Sequence, residues 1–265
     1  MIENKKRKDS LYDPNQYVES IVKKHKLPGT IDNYTDSTVV MPLKNIISNW
    51  AGTCLCDIKL SDSRAKGTAI DIATDLDLFI SLSSTTSNTL KEIYDSLYDC
   101  MIRQGITARK QNVSIGITYQ NKDVDLVPAK RQGQYGNDHS LYKRKTDSWT
   151  KTNIDKHIHK IKNSGRITEI VALKIWRENH SLDFPSIYLE CFAIEVLSGR
   201  NLYSYADNFK FLLENIRDNI NNKRIIDPAN SNNILSDELN YSEKKKLAVQ
   251  ATSSLSERYW ESIIW

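Results

Sequence analysis

The residues of this chain with the most chemical content are acidic: Asp75 and Asp77 in TDLDLFI, and Asp125 in KDVDLVPA. Side chains alternate across a strand, so Asp75 and Asp77 share one face while Leu76, Leu78 and Ile80 take the other. Two anions held side by side repel each other, and unless a cation sits between them one takes up a proton. The pair is most simply read as a hard-cation site of carboxylate oxygens. Asp125 adds a third oxygen ligand from a neighbouring strand. Asp123 shares its parity, but lies against a turn where Asp is favoured for local reasons, so Asp125 takes the catalytic place. Three carboxylates suit two Mg²⁺ (or Mn²⁺) ions roughly 4 Å apart, clamping the attacking and leaving oxygens of an in-line displacement at phosphorus.

Just upstream, Ser63, Lys66, Gly67 and Thr68 place two hydroxyls, a cation and a residue free of φ restriction within six positions. Such a turn is suited to wrapping backbone N–H groups around phosphates. The Walker A spacing GxxxxGK[ST] is absent, which removes a P-loop NTPase.

The order Ser-x-x-Lys-Gly-Thr, Asp-x-Asp on a strand, then a third Asp in VDLVPA resembles the polymerase-β-type nucleotidyltransferases. Within them the chain is most similar to the bacterial CD-NTases, relatives of cyclic GMP-AMP synthase and oligoadenylate synthase that make cyclic nucleotide signals in antiphage (CBASS) defence. The likeness runs on through QNVSIGITYQNKDVDLVPAKRQ, ITEIVALKIWRENH and FPSIYLECFAIEVL, over about residues 40 to 200. It implies an α+β fold: a polymerase-β-like palm of mixed sheet and helices, a helical C-terminal lobe, and an active site in the cleft between them. It implies Asp75, Asp77 and Asp125 as catalytic metal ligands, with Ser63, Lys66 and Thr68 about the nucleotide. The lysine of its ALKIW motif, here Lys174, reaches the triphosphate. The serine opening its next helix, here Ser186, assists, and a helix N-terminus favours anions in its own right. The aromatic that follows this serine and stacks on a base is here Ile187, with Tyr188 one place later, about 100° further around a helix. One departure lies in the turn, where the family has Gly-Ser and this chain has Asp62-Ser63. A carboxylate there faces the triphosphate unfavourably.

The elements that must position these residues are legible in outline. Residues 11–26 read as a helix ending before Leu27-Pro28-Gly29, with a second from about Asp36 to Trp50. From Thr89 to Arg103 the apolar residues Leu90, Ile93, Tyr94, Leu97, Tyr98 and Met101 mark one helical face, closed by Gly105. VSIGITY and VDLVP, separated by QNKD, predict an antiparallel hairpin that carries Asp125. From Lys151 onward the signals are helical, which divides the chain into a palm with N-terminal helices at 1–150 and a helical nucleotide-binding lobe at 151–265. The Asn-rich NINNKRIIDPANSNN reads as an exposed loop. The C-terminal SSLSERYWESIIW is apolar enough to dock.

Composition narrows the class. A hydrophobic share of 39% and a charged share of 26% are those of a globular protein with a buried core. No apolar run approaches a membrane span, and MIENKKRKDS has no secretory apolar region, so the expectation is a cytoplasmic protein without membrane contact. Cys54, Cys56, Cys100 and Cys191 lack CxxC spacing and read as reduced thiols. His157 and His159, at i and i+2 of a helix, point to different sides and read as a solvated face. The clusters KKRK, KRK and KKK read as solvated faces as well, because no aromatic residues interleave them. The expected partners are NTPs (ATP, GTP or pyrimidine NTPs), an effector addressed through the cyclic product, and an RNA or protein activator. Two other functions fit the same motifs: a template-independent RNA or tRNA 3′-end nucleotidyltransferase, and a non-catalytic nucleotide-binding regulator.

Overall fold

The structure is a computed structural model that describes residues 13–61, 63–73 and 76–265. Asp62, Asp75 and the KKRK cluster lie outside the described residues. In chain order the elements begin with α1 (Pro14–His25), α2 (Asn33–Thr35), α3 (Met41–Ala51), β1 (Leu55–Leu60), α4 (Ser63–Lys66) and β2 (Leu76–Leu82). Next come α5 (Leu90–Arg103), β3 (Ala108–Lys110), β4 (Ile115–Tyr119), β5 (Lys122–Arg131), β6 (His139–Lys143) and β7 (Ser148–Thr152). The remainder is α6 (Ile154–Lys162), α7 (Ile167–Asn179), α8 (Ser186–Val196), α9 (Tyr205–Asn219), β8 (Ile226–Asp227), β9 (Asn230–Ile234) and α10 (Tyr241–Ser256).

The chain forms two compact units. One, rich in sheet, comprises Leu27–Asn163 and Ile226–Ile234; the other, helical, takes the chain up to Lys26, Ser164–Ile225 and Leu235–Trp265. The crossing at residue 163 differs from the boundary at 150 expected from composition. The sequence between those points holds the end of β7 and all of α6, which belong with the sheet. α1 belongs to the helical unit instead of the palm.

In the sheet unit the strand order is β1-β2-β5-β4-β3, with β6 joined to β5 and β7 to β6. Among the described strands of this sheet only β2 and β5 run parallel. β5 is ten residues long and serves two neighbours in turn: β4 pairs with it up to Leu126, and β6 takes over at Lys130. The expected hairpin is β4–β5, turned tightly by Gln120 and Asn121 at φ 49° and 58°. Two consecutive positive φ values define the turn whose twist matches that of the flanking strands, so the loop is two residues long where four were expected.

Leu76, Leu78, Ile80 and Leu82 of β2, with Ile115, Ile117, Val124 and Leu126, pack beneath Leu43 and Ile47 of α3 and Ile93, Tyr94, Leu97 and Met101 of α5. Helix α5 has the predicted apolar face and a reciprocal N-terminal cap between Thr89 and Glu92. It ends at Gly105, φ +74°, where Ile106 N–H reaches back to the Met101 carbonyl. The predicted helix at 36–50 is helical from Asn33, but Asp36–Val40 is a π-helical turn. Pro42 lacks the N–H an α-helical ladder would send back to residue 38. The opposite face of the sheet carries a smaller cluster of Phe79, Ala129 and Leu141, with Val113, Val127 and Ile154 against it.

In the helical unit α7 is buried from Glu169 to Trp176. Its start is held by Arg166, whose guanidinium donates to Glu169 Oε1 at 3.0 Å, to the Leu197 and Asn201 carbonyls at 2.7 and 3.1 Å, and to the Arg200 carbonyl. The C-terminus docks as expected: Tyr17 Oη donates to the Ile264 carbonyl, and Ile264 is fully buried.

Candidate active site

The site is built on the face of the sheet opposite α3 and α5. Asp77 shares its strand face with Phe79 and Ser81, and Asp125 shares its own with Val127 and Ala129. In the parallel β2/β5 pair, Asp77 and Asp125 are direct register partners, so their backbones are about 4.8 Å apart. The structure therefore brings together two of the three predicted carboxylates. Asp123, two residues earlier, is occupied elsewhere: it accepts from Thr118 Oγ1 at 2.9 Å beside the hairpin turn.

The row continues across the sheet. Gly116 is the register partner of Asp125 on β4, and Arg109 that of Gly116 on β3. On the other side Ser61 N–H donates to the Asp77 carbonyl at 3.0 Å. Ser61, Asp77, Asp125, Gly116 and Arg109 thus form one line over five neighbouring segments, with the carboxylates in the middle and an exposed guanidinium at one end.

Ser61 also anchors the phosphate-type turn to this line. Two residues on, α4 makes a single helical turn over Ser63–Lys66, followed by Gly67 at φ +76°. Thr68 N–H closes it on the Ser63 carbonyl at 2.8 Å, with Thr68 Oγ1 3.5 Å from the same oxygen. Thr68 is fully buried and Lys66 nearly so, whereas Ser63 is half-buried. Of Ser63, Lys66 and Thr68, Ser63 is the most open, and Thr68 holds the turn from inside.

Residues that sequence reasoning passed over add to the surroundings of Asp125. Gln111 Nε2 donates to Asp125 Oδ1 at 3.0 Å, and Ser114 Oγ donates to Gln111 Oε1 at 2.5 Å while standing 3.4 Å from Asp125 Oδ2. The one available signal was Gly116, an isolated glycine in the strand pattern VSIGITY, which marks a close approach to the backbone.

Further along the same face a buried polar chain runs from Arg131 Nε to Ser81 Oγ at 3.1 Å and on to His139 Nε2 at 2.8 Å. The His139 Nδ1–H donates to the Asn137 carbonyl, 2.8 Å away, which leaves Nε2 as the acceptor from Ser81. Burial, reinforced by the nearby Arg131 and Lys59 charges, moves the imidazole pKa below its ordinary value. His139 is a neutral structural group.

The predicted residues of the helical unit are placed as follows. Lys174 is neither on an outer helix face nor exposed; it is buried and its Nζ lies 2.7 Å from Glu190 Oε1. Ser186 opens α8 as expected, and its Oγ accepts from Arg177 Nη1 at 3.0 Å. Tyr188 does not fit the stacking role: it is fully buried, edge-on to Phe184 and Phe192 at ring separations of 4.9 and 6.3 Å, and presents no face to a base. Burial also raises its hydroxyl pKa, aided by Asp237 and Glu238.

Two further expectations are corrected in the sheet unit. The second half of the Asn-rich segment is no open loop but the β8–β9 hairpin, with Asp227 and Ala229 buried, whereas Asn221, Asn222 and Arg224 before it are exposed as expected. His157 is not on a solvated face: its Nε2 lies 2.7 Å from Asp227 Oδ1. Burial pushes the Asp227 pKa upward, but hydrogen bonds from His157, Asn233 and the Ala229 N–H outweigh it and hold the carboxyl below its usual range.

No protein-family model matches the chain, and no curated protein does. Solved structures do. Escherichia coli MS115-1 CdnC, solved with ATP, superposes with a TM-score of 0.72 at 18% identity, over 91% of this chain and 89% of that one. The Bradyrhizobium diazoefficiens CD-NTase CdnG, in complex with GTP, gives 0.71 at 10% identity over 92% of each chain. The Cid1 poly(U) polymerase gives 0.63 at 9% identity, over 94% of this chain and 97% of its own. The chain therefore has the α+β nucleotidyltransferase fold that these CD-NTases and this poly(U) polymerase share.

Proposed function

We propose that the protein is a CD-NTase: a metal-dependent nucleotidyltransferase that joins NTPs into a cyclic di- or oligonucleotide with release of pyrophosphate. The observation that carries this reading is the in-register juxtaposition of Asp77 and Asp125 on the parallel β2/β5 pair, within a fold shared with nucleotide-bound CdnC and CdnG. Paired carboxylate oxygens on one open face are a hard-cation donor set, so these residues, with Asp75, fit Mg²⁺ or Mn²⁺. When bound, two such ions neutralise charge on the triphosphate and lower the pKa of an attacking hydroxyl.

The chain's own groups do the rest. Asp125 receives the proton of the ribose hydroxyl as general base. The hydroxyl oxygen forms its bond to the α-phosphorus as the bond from that phosphorus to the bridging oxygen breaks, and pyrophosphate leaves. Ser63 and Lys66 hold the phosphates from the turn anchored at Ser61, and Thr68 keeps that turn shut. For Ser186 and Lys174 of the helical unit the same reading assigns phosphate contacts, and Lys174 has Glu190 as its counterion in the structure. A second transfer, with the first product as acceptor, closes the ring. The protein works in the cytoplasm in antiphage signalling, addressed by an RNA or protein activator, its product read by an effector. Among the described residues no helix is long and apolar enough to cross a membrane.

The likeness to Cid1 favours a second reading, transfer to an RNA 3′ end. Incubation with radiolabelled NTPs and Mg²⁺ or Mn²⁺, with and without total tRNA, separates the two. A phosphatase-resistant small product supports the synthase, and label in RNA supports the transferase. NTP binding without turnover leaves a regulator.

A further inference from the structure

The Gln111 side chain reaches Asp125 by crossing strand β4, and the crossing point is Gly116. A Cβ built on Gly116 would lie 2.6 Å from Gln111 Nε2 and 2.7 Å from Arg109 Nε. The backbone of Gly116 lies outside the left-handed region that demands glycine. A Cβ here would therefore force two side chains to shift, the amide on its way to the carboxylate and the Arg109 arm beside it.

The orientation of that amide follows from its partners. Its oxygen accepts from Ser114 Oγ, so its NH₂ group faces Asp125 Oδ1. Turning it over would set a carbonyl oxygen against a carboxylate, two acceptors with no proton between them. The segment bearing it is held from several sides. Tyr94 Oη lies 2.8 and 3.0 Å from the Gln111 and Ser114 carbonyls, Arg144 Nε donates to the Gln111 carbonyl at 3.1 Å, and Gln111 N–H donates to the Ser114 carbonyl at 3.0 Å. Tyr94 is fully buried, and burial is the main cause of its hydroxyl pKa being pushed up to about 12, so it stays a protonated donor. A rigid turn thus holds a fixed amide, and the amide holds one oxygen of Asp125.

We propose that Gln111 is a positioning residue: passing through the gap at Gly116, it fixes the rotation of the Asp125 carboxylate relative to Asp77 and so sets the metal affinity and turnover of the site. This rests on the reading of Asp125 as a metal ligand and base. Outer partners of metal-binding carboxylates are worth about 10–100-fold in affinity or activity. Gln111→Leu, which keeps the bulk and removes the amide, is expected to weaken Mn²⁺ binding measured by electron paramagnetic resonance without nucleotide, and to lower kcat, each by about 10-fold or more. At saturating metal the KM for NTP is expected to stay within about threefold, because no phosphate contact is lost.

Gly116→Ala is expected to reproduce both losses although it deletes no polar group. Combined with Gln111→Ala, it is expected to add little, since the residues act as one unit. Ser114→Ala, which frees the amide to turn, gives a milder variant with a loss in the same direction and covers the case that the others fold poorly. Unchanged Mn²⁺ affinity in folded Gln111→Leu, or losses in Gly116→Ala and Gln111→Ala that multiply, overturns the proposal. Asp125→Asn is the control on the underlying reading: if it keeps wild-type Mn²⁺ binding and turnover, the site assignment itself fails, whatever the Gln111 variants do.

Discussion

At the scale of single residues, the proposed chemistry rests on two carboxylates, Asp77 and Asp125, that are register partners on one strand pair. Asp125→Asn removes the proposed proton acceptor and is expected to cost about 10²–10⁴ in turnover, read as labelled product per minute at saturating NTP. Tyr188→Phe tests the opposite kind of residue. Its hydroxyl is buried without a hydrogen-bond partner among the described residues, and an unsatisfied buried donor costs about 1–3 kcal/mol. Urea denaturation is expected to show Tyr188→Phe at least as stable as wild type, and NTP affinity should not change. His139 gives a pH dependence. Its pKa is lower folded than the ordinary 6.5, so below about that pH the unfolded chain binds the extra proton and the folded one resists it. This residue's contribution is fully present above pH 6.5 and declines as the pH falls; His139→Gln is expected to flatten stability between about pH 6.5 and 5. Asp77 and Asp125 were legible in the sequence because strand parity and apolar neighbours fix their face. Gln111 was not, because its role depends on a crossing of β4 that no spacing reveals, and Tyr188 was misplaced because a helix position alone does not say which side is buried.

At the scale of elements, local signals and distant partners divide the outcome. Helix α5 was readable from end to end, since its apolar face, its Thr89–Glu92 cap and its Gly105 terminus are all local. The β6–β7 hairpin and β8–β9 were not. The latter's polar sequence, NSNNI, has no alternation to read, and it is held by partners elsewhere in the chain: His157 on Asp227, and Asn230 Nδ2 on the Lys151 carbonyl at 3.2 Å. The i, i+2 spacing of His157 and His159 puts the two rings on different sides but does not reveal a distant partner for either, which is why His157 was assigned to solvent. Asp227→Ala is expected to destabilise the protein by about 1–3 kcal/mol, measured by chemical denaturation at neutral pH. Because its carboxyl is held below the ordinary 3.8, the difference from wild type should persist above that value and shrink as the pH falls through the lower folded pKa. In the helical unit, Glu169→Leu leaves the buried Arg166 guanidinium without its counterion and is expected to cost about 3–5 kcal/mol.

At the scale of the whole molecule, the helical unit is assembled from three stretches of chain and the sheet unit takes back Ile226–Ile234, an exchange that a linear reading divided at 150 does not see. The fold agrees with CdnC and CdnG over nine-tenths of the chain at 18% and 10% identity. What those chains keep in common is therefore an arrangement of elements. Nucleotide binding should appear as stability: with Mg²⁺ and an NTP at about 100 times its Kd, the folded state gains about 2.7 kcal/mol, seen as a rise in Tm that Asp77→Asn diminishes. The most direct test of the central claim is the reaction itself. With α-³²P-labelled NTPs and Mg²⁺ or Mn²⁺, the wild-type protein is expected to yield a phosphatase-resistant small product and pyrophosphate, and Asp77→Asn neither; nucleotide bound without pyrophosphate release under every NTP combination, or equal product from Asp77→Asn, would contradict it.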